Sequence, residues 1–509
     1  MRTVLCYFLI VIGAAFAKKL SQANKSPTLA ARVSTNGLEF FSSIGHKIVN
    51  REFPKAEFPD ISLPIDDGPG EGTVNVTNLY IPKFESPHFH FKLAPPDGIH
   101  FRSRDGAVKV RGEWKAVYEW GITFYSSGWV EVTASDIRSE LTLGAFGKRD
   151  HPQVRIFNCS AEISQLEVQI GGGVIPWLVN LFRGSVSLAV KKAIHDQFCV
   201  TTRTAILDEL NDALLSLPTH LPVASNIYMD YAYTTQPIVT STYIQDLIYM
   251  DVVFAQNTTC SLQPTQFQIV SPPPDDFMLN VWVGETVFDC LLESIHNANL
   301  VEFALDKNFA ERKFATFLST SCRWFEICLG KFFPALAKEH PHAHVDLLFH
   351  SARPATVNIT STGMEAKAHF FVDFYLSPWK QHSSNVLARL AMDSNSTVEP
   401  AIFGDRLGGK LMDTNVSFTE IFSTFGNFSA RFLNTLGMLV KPVMQVAVDT
   451  SLKVGIPIPL VENIHVANRT HLTTLLGVIR LDTDLEYVNS TEIVPPPTII
   501  YDGRAIDVY

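Results

Sequence analysis

No run of 18 consecutive apolar residues occurs in the 509-residue sequence, and a helix that crosses a bilayer needs about 20. A basic excess is missing as well. The chain holds 41 Lys and Arg against 51 Asp and Glu, a formal charge of −10, so nucleic acid is not an expected partner. No phosphate-cradling Walker loop, no HExxH and no GxSxG pattern is present. Their absence sets aside the easily read nucleotidases, zinc proteases and nucleophile-elbow hydrolases, and neither enzymatic activity nor a cofactor is expected. Charged residues are sparse at 18%, while hydrophobic residues reach 46%. That balance builds large cores and disfavours disorder. At this length the chain divides into about three ordinary domains or two large ones.

Cysteine is also scarce, and its placement is informative. Arg2 precedes an apolar run from Val4 to Phe16 that ends in Ala15-Phe16-Ala17. A charged start, a short apolar centre and a small-residue cleavage site predict a signal peptide over 1–17, with a buried first strand or helix as the alternative. Cleavage after Ala17 removes Arg2 and Cys6 and leaves a secreted, extracellular chain with six cysteines and a charge of −11. An even number in an oxidising compartment predicts disulfides. The spacing of Cys159, Cys199, Cys260, Cys290, Cys322 and Cys328 matches no zinc pattern. Asn24, Asn75, Asn158, Asn257, Asn358, Asn395, Asn415, Asn427, Asn468 and Asn489 each head an Asn-x-Ser/Thr triplet, which predicts a glycoprotein.

Periodicity then separates the elements. Leu38, Phe41, Ile44 and Ile48 recur at helical spacing. From Gly72 to Ile170 the pattern is mostly period two, with Gly106, Gly112, Gly121 and Gly128 as punctuation, which predicts an antiparallel meander. Gly171-Gly172-Gly173 breaks it, and Val174 to Phe198 reads as an amphipathic helix. A helical stretch from Thr204 to Leu215 and a β-rich one from Asn226 to Val270 follow. Ser271-Pro272-Pro273-Pro274 forms a linker. The order then returns: a helix over Thr286–Ala298, a helical piece over Ser321–His340, strands from His344 to Ser417, and a long helix over Phe425–Val448 that contains Pro442. The short helices begin at Gly37 and near Gly284, 247 residues apart; the long ones begin at Val174 and near Gly426, 252 apart. Equal offsets predict two copies of one unit, each a curled sheet filled by a short and a long helix. The seam between an apolar helix and such a sheet suits acyl chains, at about 0.8 kcal/mol per buried methylene.

With these elements in place, Gly98-Ile99-His100-Phe101 through Arg111-Gly112-Glu113-Trp114-Lys115-Ala116 resembles a strand pair of the bactericidal/permeability-increasing and lipopolysaccharide-binding protein family. Trp177-Leu178-Val179-Asn180-Leu181-Phe182 between Cys159 and Cys199 continues the likeness. Lys331-Phe332-Phe333-Pro334 and Gly455-Ile456-Pro457-Ile458-Pro459 extend it into the second half. The resemblance implies an α+β fold: an elongated boomerang of two related barrels, each a curved antiparallel sheet with two long helices, joined by a central β-sheet. The corresponding divisions are a signal peptide over 1–17, an N-terminal lipid-binding barrel over 18–220 and central strands with the linker over 221–277. A C-terminal lipid-binding barrel over 278–480 and a terminal strand and tail over 481–509 complete the chain. It further implies a phospholipid-sized pocket in each barrel, a monomer, and a Cys159–Cys199 disulfide; closing that loop of about 40 residues stabilises by roughly 4 kcal/mol in the chain-entropy model. The other four cysteines allow three pairings, of which sequence proximity favours Cys260–Cys290 with Cys322–Cys328.

The resemblance raises a set of helix residues to candidate pocket lining: Leu38, Phe41, Ile44, Trp177, Leu181 and Phe182 in the first half, and Val287, Leu291, Phe432, Leu436 and Val440 in the second. Composition alone would make them ordinary core. Members that bind endotoxin carry a basic tip on the first barrel. Here Arg102, Arg104, Lys109, Arg111 and Lys115 stand against Asp105 and Glu113, a local charge of +3, and Glu113, Tyr118 and Glu119 occupy positions where basic residues would be wanted. A solvated strand face is the plainer reading of the five cations. Residues 18–250 hold 22 basic and 24 acidic side chains, and residues 251–509 hold 18 and 27. Trp114, Trp120 and Trp129 suit sheet packing better than membrane contact. His340, His342, His344 and His350 lack the partners that would complete a metal site. The expected function is lipid binding, with phospholipid or another acyl lipid as ligand and lipopolysaccharide or an anionic membrane surface as the sharper target. Lipid transfer without endotoxin recognition is the alternative, and a surface glycoprotein with filled cores is the third.

Overall fold

The computed structural model describes residues 26–506 apart from short segments, the longest being 190–198, 200–210, 270–276 and 489–498. The N-terminal apolar run, Asn24, Asn257, Asn489, the proline-rich linker and most of 204–215 lie outside the described residues.

Strand β1 (Leu29–Ser34) runs directly into helix α1 (Thr35–Glu52). Strands β2 (Ile61–Ile65), β3 (Glu71–Glu85), β4 (His88–Ala94), β5 (Gly98–Trp120), β6 (Ile122–Lys148) and β7 (His151–Gly172) follow, and then helix α2, described at 177–178 and 180–189. Next come β8 (His220–Ala224), β9 (Ile227–Tyr233), β10 (Ile238–Val239), β11 (Tyr243–Phe254), β12 (Thr258–Thr259) and β13 (Leu279–Gly284). Like β1, β13 runs directly into a helix, α3 (Glu285–Asn297). β14 (Glu302–Leu305) and three short helices, α4 (Arg312–Phe317), α5 (Leu329–Phe332) and α6 (Pro334–Glu339), precede the long strands β15 (Val345–Thr360), β16 (Gly363–Leu376), β17 (Ala388–Phe403) and β18 (Arg406–Ser423). Helix α7 (Ala430–Val454), β19 (Ile456–Pro457), β20 (Ile464–Leu475) and β21 (Val478–Tyr487) complete this order.

Two curled antiparallel sheets flank a third. The first has the order β2-β3-β5-β6-β7, with β4 also on β5; the second is β14-β15-β16-β17-β18-β19. Between them lies β20-β21-β13-β1-β11-β9-β8, built from strands of both halves. Each curled sheet is half-wet, and a long helix covers its concave face. Leu178, Phe182 and Val186 of α2 bury against Val74, Trp114 and Val130 in the first. Phe432, Leu436 and Val440 of α7 do the same against Leu347, Val372 and Leu390 in the second.

The duplication has a visible centre. β1 and β13 are antiparallel neighbours, with Ala31 opposite Val281. Those positions are 250 residues apart, within the range of the helix offsets. β11 flanks β1 on one side as β21 flanks β13 on the other, so the two strand–helix units are related by an approximate twofold axis through the sheet. Two boundaries differ from the periodicity. Helix over 321–340 is confined to 329–332 and 334–339, because Cys322 and Cys328 close a disulfide and Pro334 restarts the chain at a helix N-terminus. The long helix starts at Ala430 rather than Phe425, since Gly426 has φ 118° and the Ser429 hydroxyl caps the helix by accepting from the Phe432 N–H.

Candidate functional site

The inner face of the central sheet is a continuous apolar layer. Alternate residues of β1 (Leu29, Val33), β11 (Ile244, Ile248) and β13 (Leu279, Val281, Val283) point to it. The short helices lie across it. Leu38 and Phe41 of α1 and Val287 of α3 are buried there, with Leu291 half-buried beside them. Ends of both barrel sheets close the flanks, Leu93 and Ile99 from the first and Ile359, Met364 and Leu407 from the second. This is the seam where helix, barrel and central sheet meet. Cys260–Cys290 fastens α3 to the chain beyond β12.

Two polar groups stand in this layer. Asp246 lies between Ile244 and Ile248 on the same face of β11, and Tyr231 packs beside them on β9. Among the described residues neither Asp246 Oδ1 nor the Tyr231 hydroxyl has a hydrogen-bond partner. Burial pushes the Asp246 carboxyl well above the usual carboxylate range and raises the Tyr231 phenol.

The candidate lining residues fall into three layers rather than two. Leu38, Phe41, Val287 and Leu291 converge on the central seam; Ile44 lies further along α1, with its side chain outside the described residues. Phe182 is fully buried against Trp114, ring centroids 5.3 Å apart, and Leu181 is half-buried. Trp177 is exposed, edge-on to Tyr118 and Phe124. Phe432, Leu436 and Val440 are fully buried, with Phe432 stacked on Phe317 at 5.6 Å.

The five cations are not gathered at one end. A register shift between Ser103 and Val108 reverses the parity of β5, so Arg102 and Arg104 before it and Lys109, Arg111 and Lys115 after it share the outward direction. Arg102 and Lys115 are 13 residues apart, roughly 40 Å along an extended strand. Arg102 pairs with Glu140 at 3.0 Å, Lys109 with Glu131 at 2.8 Å, and Arg111 sits over the Trp129 ring. Arg102 and Arg104 line a groove of about 570 Å³ together with Arg138, but Asp105, Glu140 and Glu162 line it too. Three cations and three carboxylates leave it neutral. Trp114 is buried, whereas Trp120, Ile122 and Tyr125 at the far hairpin are exposed, an apolar end that the alternation pattern of the strands did not signal.

Of the four candidate histidines, His350 serves the second sheet. His350 approaches Asp373 at 3.2 Å, and Arg389 grips the same carboxylate at 2.5 and 2.7 Å. Among the described residues no three His, Cys, Asp or Glu side chains converge as a metal site. The third disulfide, Cys159–Cys199, ties β7 to Cys199, itself in helical conformation. Every sequon asparagine within the described residues, Asn75, Asn158, Asn358, Asn395, Asn415, Asn427 and Asn468, is exposed. No helix among the described residues is long and apolar enough to cross a membrane.

Comparison with known proteins bears on the whole chain. Residues 37–210 match the N-terminal domain of the LBP / BPI / CETP family and residues 222–487 match its C-terminal domain. The bactericidal permeability-increasing protein of Rattus norvegicus is 22% identical over 487 residues, covering 94% of this chain and 96% of the relative. The lipopolysaccharide-binding protein of Mus musculus is 22% identical over 466 residues, covering 89% and 92%. A crystal structure of lipopolysaccharide binding protein superposes with a TM-score of 0.57 at 20% identity, over 91% of this chain and 99% of the other.

Proposed function

The chain belongs to the LBP / BPI / CETP family, whose members bind and transfer lipids and are not enzymes, and from that premise we propose that it is a secreted glycoprotein carrying phospholipid-like acyl chains in apolar seams between its helices and sheets. The observation that carries this reading is the central layer around Leu38, Phe41, Val287 and Leu291, where two related strand–helix units offer hydrocarbon surface beside the ends of both barrels. Acyl chains entering there gain about 0.8 kcal/mol per methylene removed from water, while headgroups remain at the rim. The exposure of every described sequon suits a glycosylated surface. Within this reading, carriage of lipid fits better than charge-led recognition of lipopolysaccharide. The cations of β5 are spread along the strand, and two of the five, Arg102 and Lys109, are paired with carboxylates. Endotoxin recognition is the second reading, favoured by the similarity to a bactericidal and a lipopolysaccharide-binding relative.

Native mass spectrometry of the secreted protein, followed by lipid extraction, tests the proposal. Co-purifying phospholipid that exchanges with vesicles at both low and high salt is the expected result. Selective retention of lipopolysaccharide that weakens as salt rises would favour the second reading, since screening acts on charge and not on acyl burial. A chain that stays empty in excess lipid would overturn both.

A further inference from the structure

Between α4 and α5 the chain makes a short loop closed by the Cys322–Cys328 disulfide. Its side chains are exposed against expectation for their chemistry: Trp324 by 89%, Phe325 by 61% and Ile327 by 57%. The Trp324 and Phe325 rings meet edge to face at 5.6 Å, forming one apolar knob. We propose that this knob docks the protein on the surface of a phospholipid layer, independently of the cargo.

Hydrogen bonds within the loop tie its backbone together. Lys331 Nζ donates to the carbonyls of Arg323 and Trp324, both at 2.8 Å, and of Glu326 at 2.6 Å. The ammonium thereby uses all three of its donors on the backbone of the turn. The Arg323 N–H donates to the Glu326 carboxylate at 2.9 Å, and the Glu326 N–H donates back to the Arg323 carbonyl at 3.1 Å. Behind the loop Cys328 and Leu329 are buried, and Gly330 lies so close to the Thr320 carbonyl that an added Cβ would stand 1.8 Å from its oxygen. Only glycine permits that approach.

This construction favours lipid over the alternatives. A segment entering hydrocarbon must satisfy its backbone polar groups internally, and a lysine satisfies three carbonyls of this turn. A protein partner would instead look for hydrogen-bonding groups at the rim, and here the three carbonyls are already taken. A small molecule needs a concave site, whereas the knob is convex. Tryptophan is at home at the boundary of headgroup and acyl chain. Charge agrees: residues 322–339 hold three basic and two acidic side chains, in a half where acids prevail by 27 to 18. Position agrees as well. Val345 at the start of β15 donates to the Leu318 carbonyl beside the loop, while Ile359 at the other end of β15 belongs to the central seam. The knob therefore marks the end of the second barrel farthest from the seam.

The test compares the full-length secreted protein with its Trp324→Ser/Phe325→Ser variant on phosphatidylcholine vesicles, some with brominated acyl chains. Both side chains lie outside the core, so thermal unfolding and co-purifying lipid should be unchanged. The expected result is a roughly tenfold or larger loss of partition, with loss of the bromine quenching contributed by Trp324. Unchanged partition would overturn the proposal. So would a loss produced by Trp120→Ser/Ile122→Ser alone, which would place attachment on the other barrel. A protein that carries no lipid yet still partitions through this loop supports the docking and sinks only the cargo reading.

Discussion

Asp246 occupies a place in the central seam that a hydrocarbon side chain would fill without cost. Its carboxyl is buried between isoleucines, and burial raises its pKa well above the usual carboxylate range. A carboxyl whose native pKa exceeds its unfolded value of about 4 supports the fold least at high pH, because unfolding releases the proton. Stability should thus decline as pH rises from about 4 toward the raised native value. Asp246→Asn removes that slope. Its melting temperature is expected to exceed that of the wild type at pH 7 and to converge with it near pH 4. Asp373 shows the opposite sign. Burial by itself would raise its carboxyl, but the hydrogen bonds from Arg389 and His350 outweigh that and hold it below the usual range. Its contribution is present above pH 4 and lost as pH falls through the lowered native value. Arg389→Met strands a buried carboxylate. The expected loss is about 2–3 kcal/mol, under the 3–5 typical of fully buried pairs because the arginine is partly exposed. Denaturant unfolding at pH 7 measures it, and the acid transition should move upward in pH.

At the scale of elements, Gly37 is a case where two rules compete. Within a helix, alanine is better than glycine by about 1 kcal/mol. Here, though, an added Cβ would stand 2.5 Å from the Met278 carbonyl oxygen, a backbone atom of the other half that cannot swing aside. Gly37→Ala should therefore destabilise, and a rise in melting temperature would show that α1 has room to retreat. Legibility also differs element by element. Period-two runs announced β3 to β7, and 3.6-residue spacing announced α1, α3 and α7, since each buries one face. The Cys159–Cys199 disulfide is the one the resemblance implied, and Cys260–Cys290 and Cys322–Cys328 are the pairs that proximity favoured. Three things were not legible. The register shift in β5 carries no residue signature strong enough to reveal that Arg102 and Lys109 face the same way. The strand partners of β1 are more than 200 residues distant, beyond any local pattern. Trp324 and Phe325 read as helix until the ring closed by Cys322 and Cys328 excludes it.

At the scale of the molecule, the candidate lining residues were legible as apolar helix faces but not as members of distinct layers. That assignment depends on which sheet each helix meets. α1 and α3 lie on the central sheet, whereas α2 and α7 fill the barrels. The two distal ends, the Trp120 and Ile122 hairpin on one barrel and the Trp324 and Phe325 loop on the other, are both apolar and both far from the seam.

The pairing of β1 has a consequence for synthesis. Its six residues are among the earliest of the described chain to leave the ribosome, yet the strands that hold it span Tyr243–Phe254 and Leu279–Gly284. At roughly 5–20 residues per second the wait for both partners is on the order of 10–50 s. Throughout that interval an apolar strand has at least one unsatisfied edge, a template for another chain. The first barrel can assemble in the meantime because its strands are sequential neighbours. The centre of the molecule, which begins first, is therefore among the last parts to close.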